Sequence, residues 1–425
     1  MAGTLTLSRA NTYTGSTILT GGTLMLANAV AAGSGALNIS VGSLGFDGLT
    51  AYTLGGLEGG AAASFALTNS AGNAVALTIG NDLNLSSAAA FSGTISGAGS
   101  LIKAGTGTFL LGGNSTFIGG VRVSGGGLVI ANNSNATSMF AAGNGFTPLL
   151  TSPVGTGSLT MADGTRLLVE NNWTRTIANP TVFEGGTMFF EKITGANNSS
   201  LAINGSITPT LNAGAMSINV ISSNMTANLM GPLTNAASVT SVTKEGLGNM
   251  GINLTGIGAG VPIVSNGGTT LGLFADGDGT SKSNTIAISN PITFNTYGTV
   301  PTLSVGRTGQ TATFNQALNK TVVLSSFTSD SLVNGITVAN ANQYGLLLPN
   351  SIALASISSM MGPTFTVNTA SASDIVQGLT LTGTLSGGPT TAGAVAFTKA
   401  GGGALVLTNS NNSFGAAGTI LDIAA

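Results

Sequence analysis

The residues able to do acid–base chemistry crowd most closely between positions 163 and 192. There Asp163, Arg166, Glu170, Arg175, Glu184, Glu191 and Lys192 surround Trp173, the only tryptophan of the chain. Clustered carboxylates beside an aromatic platform are what polysaccharide-cleaving enzymes use to protonate a glycosidic oxygen and seat a sugar ring. A cleft of that kind needs carboxylates that recur on successive structural units, and these do not recur. Solvated turn positions and local ion pairs are the better account. A second oxygen-rich stretch, DGDGTS, sets Asp276 and Asp278 two positions apart as calcium loops do. It lacks the other ligands of an EF-hand and does not recur as a nonapeptide repeat, so it is a surface turn first and a calcium candidate second. Lysine recurs ahead of glycine at Lys103, Lys244 and Lys399, in KAGTG, KEGLG and KAGGG. The expected role there is an alkyl stem laid over a corner rather than a ligand site.

Other chemistry is missing at the level of residue type. Histidine and cysteine are absent, and with them imidazole bases, thiol nucleophiles, the usual metal ligands and any disulfide. No catalytic residue, cofactor or enzymatic activity is expected. The 11 basic and 13 acidic residues are spread thinly, with no positive stripe to neutralise phosphates, so nucleic acid is excluded as a partner. Asn-x-Ser/Thr triplets at Asn114, Asn172 and Asn253 are what chance supplies in a chain rich in these residues. No window has the 18 or more consecutive apolar residues of a membrane span, and the start MAGTLTLSRA shows no basic region followed by an apolar core. The expectation is a mature or excised piece, or export by another signal.

What must position these residues is a repeat. Only 6% of residues are charged and 65 are glycine, yet 42% are hydrophobic and the net charge is -2, so the chain folds rather than staying disordered. Residues 3–28 align without a gap onto residues 107–132. Gly3 meets Gly107, Leu5 meets Phe109, Leu7 meets Leu111, Tyr13 meets Phe117, and Leu24 and Leu26 meet Leu128 and Ile130. The lysine lead-in is preceded by an apolar-x-Gly-x-apolar element at Phe91–Ile95, Leu229–Leu233 and Leu381–Leu385. A second class pairs GSGALNI from Gly33 with GTGSLTM from Gly155, and two Asn-Pro steps, at Asn179 and Asn290, each open a short β-like run.

Short strands carrying only two apolar residues on one face cannot bury enough surface alone, but stacked coils of about 20–25 residues can. Each inward Leu, Val or Ile then lies on the same-face residue of the next coil, glycines turn the corners, and asparagines stack as ladders. Charge is scarce because identical positions stack directly. No stretch keeps apolar residues at i, i+3, i+4 and i+7, so few or no helices are expected. The fold class is all-β, a parallel β-helix or β-solenoid running continuously over 1–425. Its clearest repeats are 3–28, 91–131, 229–273 and 381–425. Residues 132–153 and 193–215 are expected as looser coils or loops, and SIALASISSMM near 351–361 as a brief helix or a strand.

The order apolar-x-Gly-x-Ile-Ser-Gly-x-Gly-x-Leu-x-Lys-x-Gly-x-Gly-x-Leu-x-Leu, then Asn-x-Tyr-x-Gly and Gly-Gly-x-Leu-x-Leu, resembles the autotransporter-associated, or passenger-associated, β-strand repeat. Residues 91–131 carry it best. The resemblance implies a right-handed parallel β-helix, an extracellular or cell-surface location in bacteria, and a place among adhesins and large surface proteins. With neither end showing a polar cap, the expected function is a structural subunit of an extracellular filament, built head-to-tail by stacking one chain's last coil on the next chain's first. The interface residues would be Leu5, Leu7, Leu24, Leu26, Leu405, Leu407, Ile420 and Ile423, and the partner a second copy of the chain, with a host surface or glycans as further partners. The alternative is a monomeric stalk or adhesin passenger cut from a larger surface protein, and a polysaccharide-binding or -cleaving β-helix ranks third.

Overall fold

The computed structural model describes residues 3–80, 90–136, 149–170, 172–193, 195–211, 214–254, 256–267, 270–276, 285–295, 299–308, 320–330, 334–340, 343–354, 361–369 and 378–424. They form two compact units, Met1–Asn212 and Ala213–Ala425, each a parallel β-helix.

In the first unit the chain winds through short strands that pair with strands one coil away. One face stacks Thr4–Leu7, Thr23–Leu26, Ser43–Phe46, Ser64–Asn69 and Thr94–Ser96. A second runs through Ala36–Ile39, Gly56–Gly59, Ala90–Phe91, Thr108–Leu111, Gly127–Ile130, Arg166–Val169 and Thr187–Lys192. A third runs through Ala51–Leu54, Ala76–Ile79, Ser100–Lys103, Val121–Val123, Leu159–Ala162, Thr181–Glu184 and Ile207–Pro209. The second unit repeats the plan. One of its faces holds Met225–Leu229, Asn249–Asn253, Thr270–Phe274, Thr302–Gly306, Gly335–Asn340, Thr364–Thr369, Val395–Ala400 and Ile420–Ile423.

The pairing is parallel and in register, which places like on like. Leu5 lies opposite Leu24 and Leu24 opposite Leu44, while Phe109 lies opposite Leu128 and Leu128 opposite Leu167. The two aligned repeats, 3–28 and 107–132, thus each supply a pair of adjacent rungs. Side chains alternate between core and surface along each strand, as in Ala36–Ile39, where Leu37 and Ile39 are fully buried and the residues between them are not. Full burial of such a side chain contributes about 1.5–3 kcal/mol, and the rungs above and below are what bury it. Aromatic residues join this column: Phe65 meets Phe91 edge-on at 5.5 Å between ring centres, and Phe365 meets Phe397 in the same way at 5.5 Å.

The second repeat class has its own explanation. Gly33 and Gly155 both have positive φ (65° and 73°), and a Cβ on either would press on the ring of Tyr13 or Phe117, the two aromatic residues that the first repeat aligns. The aromatic at one corner fixes the glycine at the next.

Coils are less uniform than expected. They span 20 residues between Asn38 and Glu58 but 35 between Thr293 and Thr328. The longer coils keep the register of the core strands, as Ile292, Thr293 and Phe294 pair with Phe327, Thr328 and Ser329. Residues 193–215, expected as looser coils, carry the strands Ser199–Ile203 and Ile207–Pro209, whose alternate residues Leu201, Ile203 and Ile207 are buried. Their richness in Asn, Ser and Ala hides an ordinary two-residue alternation. Within 132–153, Asn135–Ala136 pairs antiparallel with Leu149–Thr151, and 137–148 lie outside the described residues. Of SIALASISSMM, Ile352–Leu354 is a strand and 355–360 lie outside the described residues. A 3-10 turn forms at Ala236–Ser238, and no α-helix occurs among the described residues.

Two glycines with the same backbone angle separate the conformational from the steric demand of a corner. Gly126 (φ 64°) and Gly164 (φ 72°) both occupy the left-handed region, but a Cβ on Gly126 would lie 2.0 Å from the Gly107 carbonyl oxygen, whereas one on Gly164 meets nothing within 4 Å. Gly164→Ala is expected to cost about 1–2 kcal/mol in denaturant unfolding, and Gly126→Ala clearly more.

Candidate functional site

Two of the three recurring lysines, Lys103 and Lys244, are interior groups, which corrects the expectation that their stems merely cover corners. Lys103 ends the strand Ser100–Lys103 at a position that the rungs on either side fill with Ile79 and Val123, and its side chain is fully buried. The stem lies in the apolar column, and the ammonium donates to the carbonyl oxygens of Ala104, Gly105 at 3.1 Å and Gly125 at 3.5 Å, the last on the next coil. Lys244 repeats the arrangement with Gly246 and Gly267, both at 2.6 Å, and is also fully buried. Gly246 has φ 81°, and a Cβ there would lie 2.5 Å from the Val220 carbonyl oxygen, so the lysine-x-glycine spacing follows from the turn that presents the carbonyl. Lys399 donates to Gly401.

Two further lysines escaped the sequence pattern. Lys192 is 8% exposed and donates to Gly195 and to Asn197 at 2.8 Å, and Lys320 is fully buried. The lysine-x-glycine spacing does not mark either, although Lys192 ends a strand opposite Val169 just as Lys103 ends one opposite Val123.

The charged cluster of 163–192 separates into individual pairs. Arg122 and Glu184 meet at 2.6 Å, Arg166 and Glu191 at 3.4 Å, and Arg175 and Glu170 at 3.3 Å. The side-chain hydrogen bond from Arg122 holds the Glu184 carboxyl below its ordinary value. The Arg175 guanidinium lies 4.4 Å from the centre of the half-exposed Trp173 ring, a cation–π contact that sequence spacing alone does not reveal. Asp163 caps the next corner by accepting the Thr187 amide at 2.8 Å. The carboxylates thus answer nearby cations and amides.

Asp276 accepts the backbone amide of Thr308 at 2.7 Å and the Thr308 hydroxyl, so its carboxylate closes a corner; Asp278 lies outside the described residues. Among the described residues no group of three or more His, Cys, Asp or Glu is gathered to hold a metal ion. The Asn-Pro steps are buried clamps. Asn179 donates to the Gly155 and Gly157 carbonyls at 2.9 and 2.7 Å and accepts from Ser152 at 2.7 Å, and Asn290 donates to Gly258 and Val261, both at 2.9 Å. The prolines that follow open the strands Thr181–Glu184 and Ile292–Asn295.

The residues expected at a stacking interface fall into two groups. Leu5 (62% exposed), Ile420 (49%) and Ile423 (76%) lie on strands with a rung on one side only, and Leu7, Leu405 and Leu407 are half-buried. Leu24 and Leu26 are instead one layer in, 2% and 1% exposed, because Thr4–Leu7 covers them on one side and Ser43–Phe46 on the other.

Stacked parallel strands, inward aliphatic columns and glycine corners define the class, a parallel β-helix. Within it, residues 2–26, 101–130 and 397–421 match the family model of the passenger-associated-transport-repeat, as the sequence resemblance implied. Residues 229–273 lie outside the matched segments, although Lys244 and its glycine turn reproduce the Lys103 geometry. Repeats of this kind imply a secreted or surface-exposed passenger protein. No curated protein and no solved structure matches the chain.

Burial pulls the Lys244 ammonium down from 10.5 to about 8, with Glu245 opposing the shift. From about pH 8 to 10.5 the folded chain releases this proton before the unfolded chain does, so unfolding becomes harder as pH rises. Burial raises the Tyr344 hydroxyl above its ordinary 10.0, where it donates to the Ala275 carbonyl at 2.8 Å, and this reverses the trend once unfolded tyrosine ionises. Stability of the second unit is therefore expected to climb from about pH 8 and turn over near pH 10. In denaturant titrations Lys244→Met should flatten the rising limb.

Proposed function

We propose that the chain is a structural stalk, a passenger-type β-helix that supplies length to a bacterial surface protein rather than catalysis. The observation that carries this reading is the coincidence of the passenger repeats with stacked rungs: the segment 2–26 holds Thr4–Leu7 on Thr23–Leu26, and 101–130 holds Thr108–Leu111 on Gly127–Ile130. A repeat whose strand residues Leu24, Leu26, Leu128 and Ile130 are buried against neighbouring rungs builds a column. Among the described residues no helix is long and apolar enough to cross a membrane.

Strands with one open edge accept a further rung, whether from the same polypeptide or from a second copy. The first case is the stalk and the second is the filament. Light scattering of the purified chain across a wide concentration range distinguishes them. The stalk predicts the mass of one chain throughout, unchanged by Leu5→Lys together with Ile423→Lys, both on exposed positions. A mass that grows with concentration and collapses to one chain in the double variant would replace the stalk by the filament. An antibody against the chain should also label intact producing cells, and labelling only after the cells are lysed would exclude the surface location.

A further inference from the structure

The lysine turns combine features that a ligand site would show. At Lys103, three main-chain carbonyl oxygens from two coils converge on one ammonium, whose residue takes a fully buried position between Ile79 and Val123 on the rungs to either side. At Lys244, two carbonyls from two coils do the same. Carbonyl dipoles aimed at one point stabilise a cation, and a primary ammonium brings several N–H donors that can meet such oxygens together. We propose that the lysine-x-glycine turn is a binding site for a primary alkylammonium ion, built by the main chain and filled by the chain's own lysine.

Each such turn then carries an internal cation that ties one coil to the next. The site selects by shape and donor number. Its oxygens are neutral, so a compact monovalent ion suits it, and its register neighbours Ile79 and Val123 are apolar, so an alkyl tail suits it. Cutting Lys103 back to alanine removes three carbons and the nitrogen, which is the outline of n-propylammonium.

Thermal melting of Lys103→Ala and Lys103→Met tests this directly. Both are expected to melt well below the parent chain. Lys103→Met keeps the stem and loses the ammonium, so its loss reports the carbonyl contacts rather than packing. Added n-propylammonium chloride should raise the midpoint of Lys103→Ala in a dose-dependent way by several degrees, as a ligand of the folded state does, and should leave Lys103→Met unchanged. Propan-1-ol and tetramethylammonium chloride, which lack the charge or the N–H donors, should not rescue it. If Lys103→Ala does not fold, recovery of its folded signal on refolding with n-propylammonium is the readout, with the half-buried Lys399→Ala as the second site. A Lys103→Met chain that melts with the parent, rescue by tetramethylammonium equal to that by n-propylammonium, or no rescue at either position would overturn the proposal.

Discussion

Each fold unit depends on parallel pairing, which makes a paired strand residue the neighbour of its counterpart one coil away. The interior of a coil is then dictated by the coil beside it. Leu24 is covered because Leu5 and Leu44 occupy the same register, and a polar group placed there would face two aliphatic neighbours at once. The same constraint shapes the outside. Charges stacked on one another would repel, so the few present are set off by partners, as Arg166 is by Glu191 one coil on.

Corners carry the remaining burden, because a strand that turns sharply leaves backbone groups aimed into an apolar column. The chain answers them with three kinds of side chain. Asn179 and Asn290 reach two carbonyls each, Asp163 and Asp276 accept amides, and lysines answer carbonyls that glycine turns point inward. These buried polar groups fix where a coil turns, while the aliphatic residues fix where it runs straight. Side-chain ladders tighten the stack in the same way, as where Asn295 donates to Asn266 and Asn266 to Glu245.

The β-helix was legible in the sequence because its period is written in the spacing of apolar residues and glycines. The alignment of Leu5 with Phe109 and of Leu24 with Leu128 marks equivalent rungs, and Pro180 and Pro291 mark strand starts. The corners were less legible. Lysine before glycine signals a turn, but whether the ammonium faces solvent or the core depends on which way the strand's last residue points, and only the register with Ile79 and Val123 settles that. The strand Ser199–Ile203 was less legible because it opens within a run of asparagine and serine, 197–200, that reads as a loop. The Trp173–Arg175 stack is a three-dimensional contact between residues that look like unrelated members of a charged run.

The inward lysines also define the chemistry of the exterior. None of the five described lysines is exposed, and the guanidinium groups of Arg122, Arg166 and Arg175 are engaged by glutamates. An endoprotease that reads a primary amine in its specificity pocket must wait for a coil to open and release its lysine, so cleavage at these sites measures the population of opened coils rather than the accessible surface. A protein surrounded by secreted hydrolases gains from that arrangement, since the residue such enzymes seek is the one that holds the turn closed.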